Sequence, residues 1–381
     1  MKTGLNHAVR VTVTALSIVV GLGAALPAAA QCPGDLNGNG LVEGADLGAL
    51  LTAWGTKGGT ADLTGDGIVD GADLGVLVVN WGSCLQGNFR AWGANWVGQC
   101  NIPTDLGPCT SIAGFGDHTI ALRADGNVRA WGYNAYGQCN IPTDLGPCIS
   151  IAGGLHYTIA LRTDGVVRAW GRNNYGQCNI PTDLGPCNSI AGGTNHSIAL
   201  RSDGVVRAWG LNDYGQCNIP TDLGPCTSIA AGGLHTIALR TDRTVRAWGA
   251  GTTNSGTSYN YGQSMVPADL GPCTSIAGGQ FHTIALRSDG TVRAWGAGST
   301  NTGFPNYGQS MVPTNLGACK AIAAGIYHSI ALRSDGTVRA WGAGVTNSGT
   351  SYNYGQSMVP SDLGPCTSIA GGGYHTIAIQ R

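Results

Sequence analysis

The chain is short of charge. Only 11% of its 381 residues are Asp, Glu, Lys or Arg, and 20 basic side chains nearly cancel 21 acidic ones. A balance that flat supplies no field for holding nucleic acid. Long apolar runs are scarce too, and beyond the first thirty residues none approaches the roughly 18 that a membrane helix needs. No C-x-x-C spacing suggests zinc. Neither a phosphate-cradling G-x-x-x-x-G-K loop nor a G-x-S-x-G nucleophile turn occurs. From residue 89 onward there is no Glu at all. A common glycosidase needs two carboxylates within about 10 Å, so hydrolytic chemistry is poorly supplied and the chain is read as no enzyme.

Glycine is in excess, at 63 residues, without the triplet period of collagen. That composition predicts many tight turns and many short strands. The first thirty residues read as a signal peptide: Lys2 and Arg10, an apolar run, then Ala28-Ala29-Ala30 before a cleavage expected at Gln31. Export follows, with a secreted, extracellular or cell-surface bacterial location, and the 13 cysteines suit an oxidising compartment.

The tetrad R-A-W-G recurs seven times, with tryptophans at Trp92, Trp131, Trp170, Trp209, Trp248, Trp295 and Trp341, spaced by 39 four times and then by 47 and 46. Runs such as TSIA, HTIAL and VRAW have strand length, and IALR-x-D-G-x-VRAW reads as a hairpin. Four short strands per unit over seven units predict an all-β fold, a seven-bladed β-propeller over 86–381. Its last strand, His375 to Gln380, lacks a following VRAW, while Phe89-Arg90-Ala91-Trp92 stands alone at the start. Pairing the two would complete the ring and remove two exposed edges.

The recurring YGQ, AGxxHT and DGxVRAWG segments over 89–381 resemble the regulator-of-chromosome-condensation repeat family. The resemblance implies a propeller. Nuclear members act as nucleotide-exchange factors or chromatin binders; among secreted bacterial propellers of this fold, one inhibits β-lactamase by protein–protein contact.

Residues 32–84 are different: seven acids face Lys57 alone. Two loops, 35–46 and 62–73, repeat 27 residues apart with oxygen side chains at positions 1, 3, 5, 9 and 12 and Gly at 6. That spacing wraps a hard cation, with position 7 offering its carbonyl. Expected calcium ligands are Asp35, Asn37, Asn39, Leu41, Glu43 and Asp46, then Asp62, Thr64, Asp66, Ile68, Asp70 and Asp73. The duplication, Asp rather than Glu at position 12, and one short helix after each loop resemble a type I dockerin over 31–85. The resemblance implies a small duplicated EF-hand-like α-helical domain, two calcium ions and a cohesin-like partner, docked through Gly44, Ala45 and Leu47 and through Gly71, Ala72 and Leu74. The Gly-Ala pairs depart from the Ser-Thr usual there.

Cys32 and Cys84 bracket this module and are expected to bridge it. In the repeats, Cys100/Cys109, Cys139/Cys148, Cys178/Cys187 and Cys217/Cys226 are candidate C-x8-C disulfides. The last three repeats replace the first Cys by Ser264, Ser310 and Ser357 yet keep Cys273, Cys319 and Cys366. The alternative is that the second Cys is a small buried hydrophobe.

Seven copies also separate scaffold from site. His118, His196, His235, His282, His328 and His375 share one slot with Tyr157, and are read as structural, each bonding the turn before its strand. Twelve of the fourteen Asp beyond residue 88 occupy two repeated slots; Asp117 and Asp213 do not. Variation concentrates in the pair before the His slot and in the loop after W-G, which lengthens at 249–260, 296–306 and 342–353. Both should lie on one face, carrying Trp96, Tyr259, Phe281, Phe304, Tyr327, Tyr352 and Tyr374. Variable aromatic loops on a fixed scaffold suit a protein or glycan ligand. The expectation is a secreted binding protein, with a part in extracellular polysaccharide degradation as the alternative.

Overall fold

The computed structural model describes residues 34–37, 41–79, 82–83, 89–257, 259–349 and 352–380. The expected signal peptide, Cys32, Cys84 and Asn39 lie outside the described residues.

Seven three-stranded antiparallel sheets follow one another along the chain. In the first, an inner strand Cys109–Gly114 pairs with a middle strand His118–Arg123, which pairs with an outer strand Val128–Gly132. The plan repeats up to Cys366–Gly371, His375–Gln380 and, for its outer strand, Phe89–Gly93 from the start of the chain. The register there sets His375 against Gly93 and Ile379 against Phe89, the same as in every other sheet. No sheet closes on itself. What runs round is the succession of inner strands, each beside the next and Cys366–Gly371 beside Cys109–Gly114. Ile112, Ile151, Ile190, Ile229, Ile276, Ile322 and Ile369 all line one central cavity of about 180 Å³.

Each unit has three strands, not the expected four. The segment that would supply the fourth is held as turns instead, with Asn101 N donating to Gly98 O at 2.9 Å and Leu106 N to Pro103 O at 3.2 Å. Pro103 has no N–H to give to a ladder.

The apolar core sits between neighbouring sheets. Ile159, Leu161 and Val167 of the second sheet pack with Ile190, Ala199 and Trp209 of the third, and Trp92 packs on Ile330 and Leu332 of the sixth. Each R-A-W-G tryptophan donates its indole N–H to the carbonyl of a buried glutamine, as Trp92 does to Gln356 O at 3.0 Å and Trp131 to Gln99 O at 3.1 Å. Those carbonyls also accept a hydroxyl from the middle strand, Thr119 to Gln99 O at 2.8 Å being one of seven.

The slot histidines are structural by a different bond from the expected one. Each reaches the next sheet, not its own turn: His118 Nε2 lies 3.1 Å from Thr158 Oγ1, His196 3.2 Å from Thr236, His235 2.8 Å from Thr283, His282 3.0 Å from Ser329, His328 2.9 Å from Thr376 and His375 2.9 Å from Thr119. Because each hydroxyl already donates its one proton to a glutamine carbonyl, the histidine must donate from Nε2. Burial lowers the pKa of all six well below the usual histidine range, which keeps these imidazoles neutral. Tyr157 fills the seventh place, donating its hydroxyl to His196 O. Glycine stands three residues before five of the six histidines, where a Cβ would crowd the ring, as on Gly193 at 2.3 Å from His196 Cε1; His118 has Phe115 at that place.

The C-x8-C disulfides are corrected as well. Cys100, Cys109, Cys139, Cys148, Cys178, Cys187, Cys217 and Cys226 are free thiols. The first of each pair donates Sγ–H to a loop carbonyl, Cys100 to Ala94 O at 3.2 Å and Cys139 to Tyr133 O at 3.3 Å. Ser264, Ser310 and Ser357 make the same bond, to Ala250, Ala297 and Ala343 O. The slot needs a small donor, which is why Cys and Ser interchange. The second of each pair lies in the core between sheets, buried like Cys273 and Cys366.

The N-terminal module carries the two helices, α1 (Gly44–Thr52) and α2 (Gly71–Val79), and a strand pair Leu41–Val42 with Gly82–Ser83. Val42, Leu50, Ala61, Val69 and Leu77 form its core. No helix among the described residues is long and apolar enough to cross a membrane.

Candidate functional site: an aromatic face on the ring

Both variable segments end at the same edge of each sheet. The backbone shows it directly, since Ala297 N donates to Phe281 O and Ala343 N to Tyr327 O, at 2.8 and 2.9 Å. The D-G hairpins and D-L-G turns lie at the opposite edge, where Ala124 N donates to Pro108 O at 2.9 Å. That opposite face is closed by ion pairs: Arg90–Asp362, Arg129–Asp105, Arg168–Asp144, Arg207–Asp183, Arg246–Asp222 and Arg293–Asp269. The hairpin aspartates pair with their own arginines, Arg162 with Asp164 and Arg201 with Asp203. So twelve aspartates serve the scaffold, each in an exposed pair that solvent screens.

On the loop face all seven aromatics singled out above join one network of ring contacts. Trp96 lies 5.7 Å from Tyr374, Tyr374 stacks on Tyr352 at 5.7 Å, and Tyr352 meets Tyr327 at 5.0 Å. Tyr327 continues to Phe281 and Phe304, and Phe281 to Tyr259. Their roles divide by burial. Phe281 and Tyr327 are only 3% and 6% exposed and form a small core with Tyr307. Trp96, Tyr259 and Phe304 stand out at 50%, 45% and 57%. Sequence reasoning missed Tyr214, Tyr261, Tyr307 and Tyr354, which join the same network. They sit in the repeated Y-G-Q slot, so recurrence disguised them as scaffold.

The long loops are built into the ring. Tyr259 and Tyr352 hold left-handed backbone, φ 66° and 65°, which costs a non-glycine residue about 1 kcal/mol. In return each carbonyl accepts the side-chain N–H of a buried glutamine, Gln263 and Gln356, at 2.7 Å; Pro305 O does the same for Gln309. Asn260, Asn306 and Asn353 clamp the loop bases by accepting from Gly251, Gly298 and Gly344 N–H.

Of the two stray aspartates, Asp117 joins this face and is half-buried, its carboxyl pushed up to about 6 by burial. Asp213 lies in the loop that leads to the fourth sheet. A second aromatic group, Tyr133, Tyr136 and His156, lies at the second sheet with Arg172 over the Tyr136 ring.

In the module, the twelfth residue organises each loop. Buried Asp46 accepts from Leu36, Asn37 and Glu43 N–H at 2.8, 3.0 and 2.9 Å. Buried Asp73 accepts from Thr64 and Asp70 N–H at 2.9 and 2.8 Å, and these backbone bonds hold its carboxyl below the usual range. Asp62 accepts from Gly65 and Gly67, Asp66 from Ile68 and Asp70 from Ala72. Among the described residues no three His, Cys, Asp or Glu side chains converge as they stand. Gly44, Ala45, Gly71 and Ala72 begin the helices and are exposed, whereas Leu47 and Leu74 pack half-buried on the module's core.

A family model for the regulator of chromosome condensation (RCC1) repeat matches residues 113–138, 148–177, 187–216, 226–256, 273–309 and 319–352. The ring is an RCC1-type repeat propeller. Among solved structures, Prp20p from Saccharomyces cerevisiae matches with a TM-score of 0.60 at 20% identity, covering 76% of this chain and 90% of that one. Human WBSCR16 matches at 0.61 and 18%, covering 77% and 99%. The ectodomain of the Physcomitrella patens receptor kinase CR4 matches at 0.54 and 21%, covering 66% of each. At these identities the likeness is one of fold. No curated protein sequence matches the chain.

Proposed function

We propose that this chain is an exported, non-catalytic binding protein, a closed seven-bladed ring that engages a partner through its aromatic loop face. One observation carries the reading: exposed Trp96, Tyr259 and Phe304 rise from a continuous aromatic network, opposite a face where twelve Arg–Asp pairs are made within the scaffold. Rigid aromatic anchors on a packed base are what binding hot spots use. The structure of Prp20p is described with its binding to Gsp1p and histones, and another shows Kap60 bound to yeast RCC1 (Prp20). Protein partners therefore suit a propeller of this type. The basic start, apolar run and Ala-Ala-Ala before Gln31 support export.

The module is proposed to bind two calcium ions and to tether the ring to a cohesin-like partner through Gly44-Ala45 and Gly71-Ala72. The donor set fits a hard cation: oxygen side chains only, with Asp46 and Asp73 buried and accepting backbone N–H bonds. The ligands would be Asp35, Asn37, Asn39, Glu43 and Asp46, then Asp62, Thr64, Asp66, Asp70 and Asp73, with the Leu41 and Ile68 carbonyls. A bound ion would neutralise these carboxylates and draw them inward. Affinity capture from the native secretome, with and without chelator, tests both parts. Capture through the module should vanish with chelator and capture through the ring should persist. Binding of polysaccharide without sugar release would instead make the ring a carbohydrate-binding part of polysaccharide degradation.

A further inference from the structure

One corner of the aromatic face holds a carboxylate with no counter-charge among the described residues. Asp117 lies in the turn that enters the first middle strand, and Tyr374 in the matching turn of the last sheet; Gly373 N donates to Gly116 O at 2.7 Å across this junction. Asp117 Oδ1 is fully covered and has no hydrogen-bond partner among the described residues. It lies so close to Gly373 that a Cβ there would approach it to 3.2 Å. Its charge is felt by the Tyr374 hydroxyl, which burial and that neighbouring carboxylate hold above its usual range. Burial alone raises the Asp117 carboxyl, with no basic group offsetting it.

Rings wall the same corner. Trp96 packs edge-on against Tyr354 at 4.7 Å and tilts on Tyr374 at 5.7 Å, leaving half of its own surface open. The neighbouring corner shows what such a wall accepts. There His156 replaces Asp117, and the molecule supplies its own cation, Arg172, whose guanidinium lies 5.2 Å from the Tyr136 ring centroid. At the Trp96 corner no described cation does this; twelve of the ring's arginines are paired with aspartates at the far edge of the sheets.

We infer that the corner formed by Trp96, Tyr374 and Asp117 seats a cationic group, an ammonium or guanidinium carried by a lysine or arginine of a partner protein. The ring faces attract the cation and the carboxylate is its counter-ion. A neutral sugar would stack equally well but leave the carboxylate's charge uncompensated. The inference rests on the reading of this face as a binding surface, and names what one part of it selects.

Saturation-transfer NMR on the full chain tests it, with N-acetyl-arginine amide and N-acetyl-lysine amide as cationic probes and cellobiose as the neutral one. Both cationic probes should receive saturation at millimolar concentration and cellobiose should not. Asp117→Asn should weaken them about tenfold or more, and Trp96→Ala should weaken them too. Asp117→Asn should leave the melting temperature unchanged or raised, because it removes an unpaired half-buried charge. Absence of transfer from both cationic probes, preference for cellobiose, or unchanged binding in Asp117→Asn each overturns the inference. If Phe304→Ala abolishes partner capture while Asp117→Asn alters neither capture nor probe binding, the cation site fails and the binding face stands. If neither variant alters capture, both fail.

Discussion

His375 in the last strand donates from Nε2 to Thr119 Oγ1 in the first sheet at 2.9 Å. The two residues are 256 positions apart in sequence, and their bond is the same as the one made at the other histidine-bearing interfaces between sheets. The seam where the chain ends meet is thus joined as tightly as the rest. Thr119→Val keeps shape but leaves the imidazole N–H and the Gln99 carbonyl each short of a partner. It should cost about 1–3 kcal/mol, read as a lower urea midpoint with unchanged slope; an unchanged midpoint would show that the seam bond contributes nothing.

The same bonds predict sensitivity to acid. Burial first of all holds these histidines down, to about 3 for His118, His235, His282, His328 and His375 and about 4 for His196. In the unfolded chain they would titrate near 6.5. The unfolded state therefore takes up protons first as pH falls. Stability should be complete above about 6.5 and be lost progressively toward pH 3 to 4, with an upper-bound slope of about 8 kcal/mol per pH unit for six sites. Urea midpoints from pH 8 to 4 measure it, and a flat profile contradicts buried neutral histidines.

The cysteines make predictions of different size at two positions. Cys100→Ser keeps a donor for Ala94 O and should change stability by less than about 0.5 kcal/mol. Cys109→Ser puts a hydroxyl into the core between sheets and should cost about 1–3 kcal/mol. Alkylation in denaturant without reductant should modify all the ring thiols. In the folded chain it should be slow, since burial pushes the Cys100 and Cys109 thiols up to about 12. A bridged Cys100–Cys109 peptide would refute this.

Much of the ring was legible because the chain carries its own comparisons. Seven copies of R-A-W-G marked the outer strands, the orphan Phe89–Gly93 marked the seam, and twelve repeated aspartates marked the scaffold. What stayed hidden was anything that depends on the neighbouring sheet. The histidine slot was visible as structural, but its partner is a threonine or serine 40 to 48 residues on, or 256 residues back at the seam, separations that no local pattern encodes. The thiols were misread for a related reason: eight intervening residues are a plausible bridge in sequence, yet one cysteine faces a loop and the other a core. On the aromatic face, variation pointed to Trp96 and Phe304, while the supporting Tyr307 and Tyr354 were concealed by recurring in every long-loop repeat.

The calcium reading separates cleanly from folding at Asp66, whose carboxylate accepts from Ile68 N–H at 3.0 Å and from no other backbone N–H among the described residues. Asp66→Ala should leave metal-free stability within about 0.5 kcal/mol while weakening the calcium-induced protease resistance of the module. Resistance that does not respond to calcium in the unaltered chain would remove the metal from the account.

The central claim is that one face of the ring binds and the other does not. Phe304→Ala, at an exposed ring of the loop face, and Arg129→Ala, at an exposed ion pair of the far face, should both fold with melting temperatures close to that of the parent. The most direct measurement compares the two in capture from the native secretome in the presence of chelator. The account predicts that Phe304→Ala loses the ring's partner and Arg129→Ala retains it; equal capture by both, or loss only with Arg129→Ala, would contradict it.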